Sequence, residues 1–189
     1  MQGDRLETLY VLATWTAMRE GELLGLCWED VDLDDGKLYV RHQLQRMGGQ
    51  FVLTEPKSES SRRTLMLPLP VSAVLTAHRR SQDAERATAR IWLNEWGLAF
   101  TGAHGEPLDA KALLRAFHGH LSAAGLPAIR FHDLRHTAIT RLKAAGVHVK
   151  VAQAIAGHSS VSTTLDIYTH ADTDEQVEAW EAVGKLMSR

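Results

Sequence analysis

One cysteine in 189 residues, Cys27, leaves no intramolecular disulfide and no CxxC redox or metal pair, which excludes a disulfide-stapled secreted scaffold and fits a reducing compartment. No apolar run approaches the roughly 18 to 20 residues that a membrane span needs, and Met1 to Arg5 has neither the basic start nor the apolar stretch of a signal peptide. The chain therefore reads as soluble and cytoplasmic, with no membrane partner. Internal repeats and low-complexity tracts are missing, and so is a GxxxxGK[ST] phosphate loop. Excess charge is missing too: 21 Lys plus Arg stand against 23 Asp plus Glu, a formal net charge of -2. Taken whole, that balance argues against nucleic acid, whose partners usually carry a basic excess. What is present is 44% apolar residues, enough at this length for one domain with a real core.

The charge is unevenly distributed. Residues 1–36 carry -7, 37–110 carry +3, 111–170 carry +5 and 171–189 carry -3. Seven of the ten histidines fall between Lys111 and His170. An anionic ligand would meet the middle and later parts of the chain, unless these segments are solvated faces that average out in space.

Periodicity predicts a mostly helical α+β fold with a small three-stranded antiparallel sheet near the N-terminal end. Leu6, Leu9, Tyr10, Ala13 and Ala17 mark an opening amphipathic helix, with a short helical turn over Glu22 to Cys27. Lys37 to Gln43, Gln50 to Leu53 and Thr64 to Leu67 alternate like strands, the last two separated by the polar loop Lys57-Ser58-Glu59-Ser60-Ser61. Pro70 opens a long helix running towards Trp96, and Asp109 is an N-cap for a helix from Ala110 to Ala124. Further helices are predicted over about His132 to Ala145, His148 to Ala156 and Ser162 to Tyr168, broken at Gly146 and Gly157. An amphipathic helix from Asp174 to Met187 closes the chain.

The most informative run is Phe131-His132-Asp133-Leu134-Arg135-His136-Thr137. On a helix, His132 and Arg135 share a face and can donate several hydrogen bonds to one phosphate, with Leu134, Ala138, Ile139 and Leu142 on the opposite, buried face. Alone, HxxR is also an ordinary surface pair. His132 and His136 have the spacing of a helical metal pair, but no HExxH glutamate accompanies them, and no metal is assigned. Asp133 reads as a capping or supporting residue. Downstream, Gly157-His158-Ser159-Ser160 ends one helix, and Tyr168 follows His158 by ten residues across a Ser/Thr-rich linker that can let the tyrosine move. Upstream, Thr16 to Leu24 puts Arg19 at a helix end beside carboxylates that can orient its guanidinium. Lys57 lies in the exposed turn of the sheet.

In this order and spacing, the boxes T-A-M-R-E-G-E-L-L-G-L-C-W-E-D-V-D-L (Thr16 to Leu33), H-D-L-R-H-T (His132 to Thr137), and G-H-S-S with T-T-L-D-I-Y-T-H ending at His170 resemble the tyrosine recombinase family, the phage integrases and their relatives. The resemblance runs from about Asp4 to His170 and fills six positions. It implies that Arg19 and Arg135 clamp the scissile phosphate and that Tyr168 is the nucleophile. His132 and His158 handle protons or bond the phosphate, and Lys57 protonates the leaving 5' oxygen. Departures are small: Ala17 stands where glycine is usual, Met18 where leucine is usual, Glu20 beside Arg19, and Ile155-Ala156 before Gly157 where a leucine is usual.

The resemblance also implies the chemistry. Tyrosine, with a reference pKa near 10, is ionised about once in a thousand at pH 7, a deficit of roughly 4 kcal/mol that neighbouring cations must offset. Attack gives a 3'-phosphotyrosyl link that stores the bond energy, so no cofactor, ATP or metal is required. Site-specific DNA recombination is the expected function, on double-stranded DNA, with a tetramer on DNA and a monomer in isolation. Residues 1–170 are expected to be the catalytic domain, lacking the N-terminal core-binding domain usual in the family, and 171–189 a tail helix that docks on a neighbour or packs on its own chain. Two rivals remain. A type IB topoisomerase shares the tyrosine chemistry, and a helix-turn-helix regulator would use Val149 to Leu165 but leaves Arg19, Lys57 and Arg135 unexplained.

Overall fold

The structure is a computed structural model, described for residues 4–56, 61–158, 164 and 168. Among these, six α-helices surround two small antiparallel sheets. The helices are α1 (Glu7–Thr16), α2 (Glu20–Leu24), α3 (Leu69–Thr88), α4 (Ala110–Ala123), α5 (Asp133–Ala144) and α6 (Val149–Ala156). The strands are β1 (Val31–Asp32), β2 (Lys37–Val40), β3 (Gln43–Met47), β4 (Gln50–Thr54) and β5 (Arg63–Met66).

The expected three-stranded sheet is present, with one different member. Its order is β1-β2-β5, while β3 and β4 form a separate hairpin pairing Met47 with Gln50. Alternation predicted the strand over Gln50 to Leu53 but not its partner: Gly48 and Gly49, both at positive φ, turn it straight back onto β3. The hairpin lies against α2 so closely that a Cβ on Gly25 would sit 2.6 Å from the Leu44 backbone nitrogen.

The helices begin and end where local chemistry requires. Asp109 caps α4 by accepting from the amides of Lys111 (2.9 Å) and Ala112 (3.2 Å). Pro70 lies in the first turn of α3, where its missing N–H costs nothing, but α3 stops at Thr88 instead of reaching Trp96. On α4, Leu113, Phe117 and Leu121 recur every fourth residue and are buried. Phe117 packs edge-on against Phe131 (5.4 Å between centroids) and against Tyr10 of α1 (5.5 Å), which fixes the entry to α5. Buried Gln82 of α3 accepts from the Trp28 indole (2.6 Å) and donates to the carbonyl of Ala99 (3.0 Å), tying the connector after α3 into the same body.

One large apolar cluster runs from Leu9 of α1 through the sheet to Leu134 of α5. A second, small cluster holds Ala17, Ala138, Ile139 and Ala156, with Tyr168 packed against it. Lys57 and the tail from 169 onwards lie outside the described residues, as does most of the expected helix over Ser162 to Tyr168, of which Thr164 and Tyr168 are described as helical. No helix among the described residues is long and apolar enough to cross a membrane.

Candidate active site

Arg19 is the N-cap residue of α2 and Glu22 stands one turn later, so their side chains meet at the helix start. The Glu22 carboxylate accepts from the Arg19 backbone amide (2.9 Å) and from its guanidinium (2.7 Å). Glu22 is 2% exposed. Burial pushes its carboxyl pKa up, but hydrogen bonds and charge from Arg63, with bonds from Arg19, outweigh that and hold it below the usual range. Glu20, next to Arg19 in sequence, is not its partner; burial pushes its pKa up. The other Arg19 nitrogen donates to the carbonyl of Gly157 (2.9 Å), immediately before His158.

Arg135 reaches the same place from α5. It was expected on an exposed face with His132; instead it is 3% exposed and buried together with Leu134, Ala138 and Ile139. Its Nη1 donates to the carbonyl of Ala17, and its buried Nη2 has no hydrogen-bond partner among the described residues. Burial, then the guanidiniums of Arg19 and Arg63, pull its pKa down to about 9 against the pull of Glu22, which still leaves it charged at neutral pH. Among the described residues Arg135 thus has no carboxylate of its own beside the paired Arg19, and its Nη2 is free to serve an anion.

His158 lies at the turn after α6, where Gly157 takes φ +65°. Its Nδ1 lies 2.8 Å from the hydroxyl of Thr164, and burial, then Arg135, Arg19 and Arg63, hold its pKa down at about 4. The ring is neutral at pH 7. His132, at the N-terminal end of α5, is exposed and stacks edge-on with His136 (5.0 Å); burial of part of its ring, then His136 and Arg135, lower its pKa. Asp133 accepts from the amide of Arg130 (2.8 Å) and from its guanidinium, so it supports the turn leading into α5 and does not cap the helix amides.

Tyr168 is not brought to the arginines. Its ring rests on the small cluster, and its hydroxyl donates to the carbonyl of Val147 (3.2 Å), past the C-terminal end of α5. His132 and Arg135 belong to the other end of that 12-residue helix, which spans about 18 Å. Burial raises the phenol pKa. Arg19, Arg135 and His158 therefore converge, His132 flanks them at the start of α5, and Tyr168 stands apart.

Arg63 was missed by sequence reasoning. It lies on β5 with its side chain 6% exposed, and its guanidinium pairs with Glu22 (2.9 Å). The only local signal is an arginine at an inward position of a strand, between Arg62 and Thr64. Away from this site, Cys27, Asp30 and His42 bring a thiol, a carboxylate and an imidazole within 4.8 Å of one another. The carboxylate is already engaged by Arg41 (3.1 Å) and His42 (2.8 Å). Burial, then Asp30 and Glu29, push the thiol up to about 12, and the protonated sulfur donates to the carbonyl of Gly25 instead (3.6 Å).

A helical body that brings two arginines together from α2 and α5, with a histidine after α6, has the catalytic-domain fold of the tyrosine recombinases. The chain belongs to the phage integrase family, whose model matches residues 2–175. It is 35% identical to a XerC-like tyrosine recombinase of Caldanaerobacter subterraneus subsp. tengcongensis, over 98% of this chain and 51% of that protein. An integrase of Streptomyces ambofaciens is 32% identical over 88% of this chain and 45% of its own length. Among solved structures, the integrase of transposon Tn1549 in complex with transposon right-end DNA superposes with a TM-score of 0.83 at 28% identity, covering 97% of this chain and 61% of that one. The chain spans about half the length of these two curated relatives.

Proposed function

We propose that the chain cleaves and rejoins DNA as the catalytic part of a site-specific recombinase that integrates or excises a mobile element. The observation that carries this reading is the buried Nη2 of Arg135, unpartnered among the described residues, beside the partly exposed guanidinium of Arg19. A phosphodiester is the anion that such a fork fits, and it would occupy the donor that the described residues leave unused. The Tn1549 integrase, similar in fold, is seen bound to DNA, which supports duplex DNA as the substrate.

In this mechanism Arg19 and Arg135 hold the nonbridging oxygens and stabilise the charge that gathers there in the transition state. His158, neutral and taking the Thr164 hydroxyl on Nδ1, donates from Nε2 to one of those oxygens. Tyr168 leaves the Val147 carbonyl, passes its phenolic proton to His132 and attacks phosphorus. A phosphotyrosyl bond forms and the bond to the 5' oxygen breaks, with Lys57 supplying the proton to the departing oxygen. Attack by a 5' hydroxyl of another duplex reverses these steps and joins new partners. Residues 1–170 act as the catalytic unit and 171–189 as a tail helix. Four copies assemble on two DNA sites in the cytoplasm.

The test is strand exchange by the full-length protein between two linear duplexes carrying its element's attachment site, in EDTA and without ATP. Recombinant duplexes are expected. Relaxation of a supercoiled circle without exchange would instead identify a topoisomerase, and sequence-specific binding with no cleavage would identify a regulator.

A further inference from the structure

Arg63 touches the backing of two of the proposed site residues at once. Its Nη1 and Nη2 pair with Glu22 (3.2 and 2.9 Å), the carboxylate that grips Arg19. Its Nε donates to the carbonyl of Ile155 (2.7 Å), in the last turn of α6 before His158. Its Nη1 also donates to the carbonyl of Ser61 (3.0 Å), two residues back along the chain, so the guanidinium is held to its own strand entry as well. The bond from Arg19 to the carbonyl of Gly157 closes a circuit from Arg19 to Glu22, Arg63, the end of α6 and back. Gly157 leaves no slack in it, since a Cβ there would stand 2.8 Å from the Arg63 guanidinium.

We propose that Arg63 is a positioning residue: through Glu22 and Ile155 its one guanidinium fixes where Arg19 and His158 stand relative to each other. This rests on the phosphate-site reading above. A buried ion pair is often no more stabilising than well-packed apolar side chains of the same volume, so its contribution here is directional. A planar fork bonds in three directions with one rigid geometry, whereas a lysine carries the same charge to a single point. Arg63→Lys therefore keeps the charge and removes the geometry.

The experiment uses the 189-residue chain with inorganic phosphate as the probe and the ring signals of His158 in NMR as the readout. In the unsubstituted chain, phosphate is expected to raise the His158 pKa by placing an anion among the cations that depress it. Arg63→Lys should still unfold cooperatively, bind phosphate roughly tenfold more weakly, and lose the phosphate-linked shift of His158. Arg63→Gln, which removes the charge as well, should behave the same way or worse. A folded Arg63→Lys or Arg63→Gln chain with unchanged phosphate affinity and His158 response would overturn the positioning role, and so would failure of both to fold. Absence of any response in the unsubstituted chain would overturn the phosphate-site reading itself, and the positioning role with it.

Discussion

The two apolar clusters treat the proposed site residues differently. The large cluster packs leucines, valines and aromatic rings behind α2, and Arg19 is held there by the Glu22 carboxylate, which Arg63 grips in turn, and by a charge-assisted bond to the carbonyl of Gly157. The small cluster offers Tyr168 three alanines and one isoleucine, plus a single 3.2 Å hydrogen bond to a backbone carbonyl. A residue backed by many buried contacts and charge-assisted bonds stays in place, while one backed by a few methyl groups and one neutral bond is released at small cost. The contrast fits a site in which the phosphate cradle is built in advance and the nucleophile arrives.

The largest break in this comparison should come from Arg135→Lys. Losing the fork that spans the Ala17 carbonyl and the phosphate should slow single-turnover formation of the protein–DNA adduct by about 10² to 10³, the usual effect of deleting one transition-state donor. Next comes Glu22→Gln. Removing a buried anion from between two guanidiniums should destabilise the fold by about 3 kcal/mol or more, measured by urea unfolding. Ile139→Val probes the other cluster. It should cost only about 1 kcal/mol of stability while leaving adduct formation as fast or faster, because it loosens what holds Tyr168. An Ile139→Val chain that slows adduct formation as strongly as Arg135→Lys would remove the distinction between cradle and nucleophile.

A further effect is a drift of stability with pH. His158 stays neutral in the folded chain down to about pH 4, whereas an unfolded histidine takes a proton below about pH 6.5. Between these values the folded state binds fewer protons, so this stability is complete above about pH 6.5 and is lost as the pH falls towards 4. The urea midpoint should fall across that window, and His158→Gln should flatten the fall.

Much of the frame was legible in local sequence because its signals are local. Asp109 caps α4, Gly146 and Gly157 end α5 and α6 at positive φ, and Arg19, Arg135 and His158, one from each motif box, meet where α2, α5 and α6 converge. What was not legible depends on partners far along the chain. Alternation over Gln50 to Leu53 reveals a strand but not that its neighbour is β3. HxxR spacing predicted an exposed pair, yet α1 packs over α5 and the carbonyl of Ala17, just past its end, accepts from the buried Arg135, leaving His132 outside at the helix end. The bond from Arg63 to Glu22 crosses 41 residues and that from Tyr168 to Val147 crosses 21, distances over which no motif carries information. Ala17, a departure from the family's usual glycine, is the one non-glycine residue at positive φ (53°) among the described residues. Its methyl group lies in the small cluster against which Tyr168 packs.

The central claim is that Tyr168 leaves Val147 to attack a phosphate held by Arg19 and Arg135. The most direct measurement is peptide mapping of the SDS-resistant adduct formed by the full-length protein on a nicked duplex carrying its attachment site. The account predicts a 3'-phosphodeoxynucleotide attached to Tyr168, formed in EDTA and lost in Tyr168→Phe with the fold intact. An adduct on any other residue, or one that survives Tyr168→Phe, would contradict it.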